Sequence, residues 1–113
     1  MRPWLILVVF LLVLAACQPS GKERPENIIA PDRMSLVLAE VYITEAVLSN
    51  MMIPYDSLQQ VREAWFSAVY RKHGIDRATF DSSYHYYETH PDLLEKIQDD
   101  AITEMMKREA EVE

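Results

Sequence analysis

Residues able to do chemistry are few and scattered along this chain. It has one cysteine, Cys17, and three histidines, His73, His85 and His90. His85 and His90 are five positions apart, a spacing that does not put both on one helical face. Pro91 also separates their elements, so a shared metal ion is not expected. Met51, Met52, Met105 and Met106 come in pairs. Thioethers bind Cu(I), but paired methionines on amphipathic helices far more often fill a core. No serine sits in a glycine-rich elbow and no Ser–His–Asp order suggests itself, so nucleophilic catalysis finds no motif. Glu45 falls inside an apolar stripe, between Val41 and Leu48. As a buried polar group there it needs a partner or a raised pKa. One reading is a general acid. The favoured one is a rim position, or a pairing with an Arg, Tyr or His of a neighbouring helix. His73 stands at a helix end and reads as a cap residue before a ligand or base. No metal and no cofactor are expected.

The cysteine has the most telling surroundings. Leu14-Ala15-Ala16-Cys17 closes an apolar run from Trp4 to Val13 that begins just after the lone cation Arg2. A positive start, an apolar middle and small residues before a cut site make a secretory signal peptide. The run is too short for a membrane span, which needs about 20 residues. Leu-Ala-Ala-Cys resembles the lipobox of bacterial lipoproteins, in which the cysteine is lipidated and becomes the first residue of the mature chain. That resemblance implies a leader over residues 1–16 and lipidation at Cys17. Residues 17–27 then read as the lipidated cysteine and a flexible tether, polar and containing two prolines and a glycine. Ten extended residues reach roughly 33–36 Å. Gln18 after the cysteine favours the outer membrane under the sorting rule familiar from other lipoproteins.

Bulk properties bound the remainder, residues 28–113, to one small domain. Of the whole 113-residue chain, half is apolar, which suits folding better than disorder. Without Arg2, ten Lys and Arg face eighteen Asp and Glu, a net charge of −8. Such a surface repels phosphate backbones, so nucleic acid is excluded as a partner. It exerts no pull on anionic lipid either, so attachment must come from acyl chains, each buried methylene contributing about 0.8 kcal/mol. A lipidated Cys17 leaves no thiol for a disulfide, nucleophile or metal site.

The elements that position these residues all read as helices; no stretch alternates with period two. The spacing predicts a helix over about 32–50, with Pro31 in its first turn and Ile28 and Ile29 packing beneath its start. Met34, Val37, Leu38, Val41, Leu48 and Met52 share one face. Leu36, Ala39, Ile43 and Val47 occupy much of the opposite one, so this helix is expected to be buried on more than one side. Asp56 or Ser57 should cap a second helix with Leu58, Val61, Trp65, Ala68 and Val69 as its stripe. It should end at Arg71-Lys72-His73, with Gly74 as a left-handed cap followed by Ile75. Asp76 should cap a third helix facing the core with Phe80, Tyr84 and Tyr87, ending before Pro91. Pro91 opens a fourth with Leu94, Ile97, Ala101, Ile102, Met105 and Met106 as its stripe, and the charged tail from Lys107 should fray. The expectation is an all-α, small four-helix bundle-like domain.

Several of these residues together resemble a known family. Met34, Leu38-Ala39-Glu40 and Glu45-Ala46 come first. Val69-Tyr70-Arg71-Lys72-His73-Gly74-Ile75 follows, then Phe80, Ser83, Tyr86-Tyr87 and Pro91. This order, over roughly 28–106, is similar to a family of short Bacteroidota lipoproteins whose shared domain has no assigned function. Members often carry Asp where this chain has Glu40. The resemblance implies a small helical lipoprotein and brings no reaction, cofactor or catalytic residue.

Two function classes follow. The leading one is a non-enzymatic, membrane-anchored envelope module that docks another envelope protein or a second copy of itself. Its candidate partner-binding residues are Leu36, Ile43, Val47 and Met51 on the first domain helix, and Tyr86. The alternative is a small-ligand binder or weak enzyme built on a cleft of Tyr84, His85, Tyr86, Tyr87, His90 and Glu45. Asp56-Ser57-Leu58 also resembles the Asp-Ser/Thr-apolar acceptor of envelope O-glycosylation in these bacteria, which marks Ser57, although Asp and Ser are equally the preferred helix caps.

Overall fold

A computed structural model describes residues 2–16, 25 and 27–112 of the chain. The order is α1 (Pro3–Ala16), α2 (Pro31–Asn50), α3 (Tyr55–Lys72), α4 (Arg77–Glu88) and α5 (Pro91–Val112). The fold is all-α, and the described residues contain no strand. α1 is the apolar run; its side chains from Trp4 to Leu11 are exposed, and no described helix is long and apolar enough to cross a membrane.

α2 to α5 build the domain. α2 shares its largest interface with α5 and packs on its other side against α3, while α4 joins α5 to α3. α3 runs back along α2, so Arg62 meets Glu45 and Lys72 meets Glu40. The core holds Met34, Val37, Leu38 and Ala39 of α2, Tyr70 of α3, Phe80 and Tyr87 of α4, and Ile97 and Ala101 of α5. Ile28 and Ile29 close it from below. Pro31 opens α2 without a side-chain cap, because its missing N–H is one of the orphans at a helix start.

A polar clamp fixes the approach to α2. The Ile29 N–H donates to Ser83 Oγ at 2.9 Å, and the Tyr87 hydroxyl donates to the Ile29 carbonyl. Ser83 and Tyr87 are both wholly buried. The Ser83 hydroxyl in turn donates a hydrogen bond to the Thr79 carbonyl at 2.7 Å. An extended peptide buried against a helix would otherwise leave both backbone groups unsatisfied, at roughly 1–3 kcal/mol each.

The ends of the helices follow the sequence signals in two places and depart from them in two. α3 ends in a Schellman cap: Gly74 N–H donates to the Arg71 carbonyl at 3.0 Å, and Ile75 N–H to the Tyr70 carbonyl at 3.0 Å. Asp76 caps α4 by accepting from Thr79 N–H at 2.7 Å. At the start of α3, however, neither Asp56 nor Ser57 is the cap. Pro54 takes that position and its carbonyl accepts from Ser57 N–H, so the helix begins earlier and Asp56 lies within the first turn. The tail does not end at Lys107; α5 stays helical to Val112 because Arg108 is held by two carboxylates.

The stripes are also narrower than the periodicity suggests. Met52 is fully exposed beyond the end of α2. Trp65 is 40% exposed, since α3 turns its Phe66–Tyr70 side inward. Ile102 and Met106 lie on the outer side of α5, while Leu94 and Met105 pack against the core.

Gly74 sits at φ 68° with open space around it. A side chain there meets no atom, so only backbone strain acts. Gly74→Ala should lower unfolding stability by about 1–2 kcal/mol, read from urea denaturation; an unchanged midpoint would mean the turn relaxes freely.

Candidate functional site

The most heavily wired point of the domain is Glu40, in the middle of α2. Its side chain is buried, and three basic side chains from the ends of two other helices reach it. Lys72 Nζ donates to Oε1 at 2.6 Å and Arg108 Nη1 to the same oxygen at 2.9 Å. His73 Nε2 lies 3.1 Å from Oε2, near enough for an ion pair but not aligned for a directed hydrogen bond. Arg108 also donates from Nε to Glu104 at 3.0 Å. Arg33, two turns before Glu40 on α2, donates from Nη2 to the His73 carbonyl at 2.8 Å, capping the electronegative end of α3. Burial alone would raise the Glu40 carboxyl. The hydrogen bonds from Lys72 and Arg108, with the His73 ring close by, outweigh it, and the pKa falls from 4.5 to about 2. A carboxylate so depressed and so fully paired is a permanent anion. It neither stores nor delivers a proton near neutrality, so its role is to hold three helices together.

A second feature is open to solvent. Between α3 and α4 lies a cleft of about 380 Å³. α3 supplies Arg62, Phe66, Ser67 and Tyr70, and α4 supplies Arg77 and Asp81. Val41 of α2 forms part of the floor, with Gln59 and Glu63 at the outer end. The Arg62 guanidinium lies 5.3 Å from the Phe66 ring centre and its Nη2 bonds both oxygens of Glu45, at 3.1 and 3.0 Å. Tyr70 stacks on Phe80 with centroids 5.2 Å apart, which closes the inner end. Burial first, and then the Asp81 charge, raise the Tyr70 phenol above its ordinary pKa.

The candidate residues named from the sequence fall in several places. Cys17 lies outside the described residues. Leu36, Val47 and Met51 are exposed along α2, while Ile43 between them is half-buried. Tyr86 is half-buried, packed edge-on against Tyr87 and stacked on His90 at 4.3 Å. His90 Nδ1 in turn sits 2.8 Å from the Tyr86 carbonyl. Ser57 is half-buried in the first turn of α3.

Two expectations require correction. Glu45 is not a buried polar group; it is exposed, and the favoured pairing with an Arg of a neighbouring helix is what forms, to Arg62 of α3. The proposed Tyr–His–Glu cleft does not form. Tyr87 is wholly buried, Tyr84 stacks on Phe80, His85 is exposed, and Glu45 stands on α2 beside Arg62. Among the described residues no three His, Cys, Asp or Glu are placed to hold a metal ion. The periodicity gave no hint of Glu40. Its partners lie 32 and 68 positions away, and the only sequence signal was its presence in the family-like Leu38-Ala39-Glu40 stretch.

Comparison with known proteins gives one finding. Residues 25–111 match the family described as a domain of unknown function, DUF4296. No curated protein and no solved structure matches the chain.

The Glu40 centre predicts a pH dependence with a definite sign. The folded pKa, about 2, is below the unfolded value of 4.5, so the stabilisation is fully present above pH 4.5 and is lost as pH falls towards 2. Glu40→Gln should cost about 1–3 kcal/mol at pH 7 by leaving its cations unmatched. It should also flatten the acid limb of stability between pH 4.5 and 2, measured by denaturation at each pH. A variant with the wild-type acid limb would place the pH dependence elsewhere.

Proposed function

We propose that the chain, which belongs to the DUF4296 family, is a lipid-anchored module of the bacterial envelope that docks another protein and performs no catalysis. The observation that carries this reading is the order of the first residues. A cation, an apolar helix α1 and Leu14-Ala15-Ala16-Cys17 precede a polar stretch, and the family domain begins at residue 25. That order is what an acylated cysteine needs, with Cys17 joining a membrane to a folded unit. The outer membrane of a Bacteroidota-like envelope is the location proposed, on Gln18. α2 supports the docking role. Leu36 and Val47 on α2, and Met51 at its C-cap, are exposed apolar side chains on a domain whose charged residues are otherwise numerous.

Two experiments test this. Growth with a labelled fatty acid should label the wild-type chain, and Cys17→Ser should abolish the label; label retained in the variant refutes the anchor. Val47 is 41% exposed, so Val47→Glu should leave the free energy of unfolding within about 0.5 kcal/mol of wild type. The same change should reduce co-purification of envelope proteins with the lipidated chain. Equal recovery of every protein would remove α2 as the docking face.

A further inference from the structure

The two most exposed large apolar side chains of the described residues lie where α2 gives way to α3. Met52 is 102% exposed and Tyr55 93%. Met51 and Pro54 beside them are exposed as well, and Ile53 is half-buried. A turn between helices is ordinarily built from small polar residues, glycine and proline. This one reads Met-Met-Ile-Pro-Tyr. From Ala46 to Tyr55 no residue carries a charge, in a chain of which 26% is charged. The last turn of α2 has no basic residue either. The core does not explain the run, because Met52 and Tyr55 leave almost all of their surface in water.

Where the domain is held decides what can cover this loop. The clamp on Ile29 pins the start of α2, and the loop lies at its far end, 20 residues on. Those residues span about 30 Å as a helix. Residues 18–27, fully extended, reach roughly 33–36 Å. A chain anchored at Cys17 can therefore stand with this loop against the same bilayer. The chemistry fits a lipid surface. Methionine and tyrosine side chains gain by leaving water, and tyrosine rings favour the headgroup level. The nearest charges do not oppose the contact. Glu45 is paired with Arg62, and Asp56 lies in the first turn of α3, at the favourable end of its dipole. The net acidity of the chain repels anionic lipid, so neutral headgroups are the ones that fit.

We infer that residues 51–55 make a second membrane contact, with Met51, Met52 and Tyr55 dipping into the headgroup layer of a neutral bilayer. The inference rests on the Cys17 anchor proposed above. It needs no helix to cross the membrane, since such contacts go only about 5–10 Å deep. Two attachments fix the tilt of the domain, where a tether alone leaves it free.

The test uses the full acylated chain on phosphatidylcholine vesicles, with an environment-sensitive fluorophore on Met52→Cys. An acylated Cys17 leaves no competing thiol. Emission should move to shorter wavelength on the vesicles, and a phospholipid carrying a nitroxide at headgroup level should quench it. Added salt should leave both effects in place, since burial carries the contact. The same fluorophore on Ala78→Cys, exposed in the first turn of α4, should show neither effect. Tyr55→Asp, added to the Met52→Cys chain, should remove most of the quenching. Circular dichroism should stay unchanged, because Tyr55 is exposed. Flotation with the vesicles reads the anchor separately. A chain that floats while the fluorophore at position 52 stays in water overturns the inference, leaves the anchor standing and assigns the loop to a protein partner. Equal quenching at positions 52 and 78, or a Tyr55→Asp chain quenched like its parent, also overturns it. A chain that does not float removes the anchor and the inference together.

Discussion

A carboxylate taken out of water must be compensated, and in this domain that requirement falls on Glu40. Its desolvation opposes folding, so the chain can bury it only by bringing basic groups from elsewhere. Lys72 and His73 come from the end of α3, and Arg108 from the far end of α5. Those elements are therefore tied to the middle of α2 at one atom pair. A buried ion pair is weak evidence for net stability, since hydrophobic replacement is often neutral or better. What such a pair does well is penalise alternatives. Any packing that slides α5 along α2, or lifts the end of α3, strands a buried charge.

The same logic acts at the other end of α2 with neutral groups. The Ile29 peptide is buried before the helix begins, so both its N–H and its C=O need partners, and α4 supplies them through Ser83 and Tyr87. α2 is thus fixed at its start by α4 and at its middle by α3 and α5. A domain this small buries only about 60–65% of its unfolded surface. Polar ties with one geometry add uniqueness that so few apolar contacts do not provide alone.

Much of this was legible in the residues. Helix number and order follow from period and punctuation. Gly74 after Arg71-Lys72-His73, Asp76 three positions before Thr79 and Pro91 after His90 are local signals, and local structure obeys them. The failures are of another kind. Periodicity identifies a face but not where on it the buried surface ends. Glu45 and Met52 share the stripe of Val41 and Leu48, yet Glu45 pairs with Arg62 at the solvent edge of α2 and α3, Met52 lies past the end of α2, and both are exposed. Glu40 fails in the opposite direction. It sits on the side of α2 that carries Leu36 and Val47, and only side chains arriving from distant positions bury it. Arg108, in a tail that composition marks as frayed, is ordered by the carboxylate that composition could not locate.

The residues that carry the family likeness take on a physical meaning in this light. Glu40, Lys72, His73, Gly74, Ser83 and Tyr87 are the ion centre, the helix stop and the peptide clamp. None of them needs a ligand to explain its identity, because each satisfies a charge, a backbone group or a positive φ inside the domain. A sequence signature of this kind specifies a scaffold. Whatever distinguishes one such chain from another must then be sought where those ties leave surface unspent. Here that surface includes the outer side of α2 at Leu36 and Val47. It lies equally in the opening between α3 and α4, where Arg62, Glu63, Arg77 and Asp81 stand beside Val41, Phe66 and Tyr70.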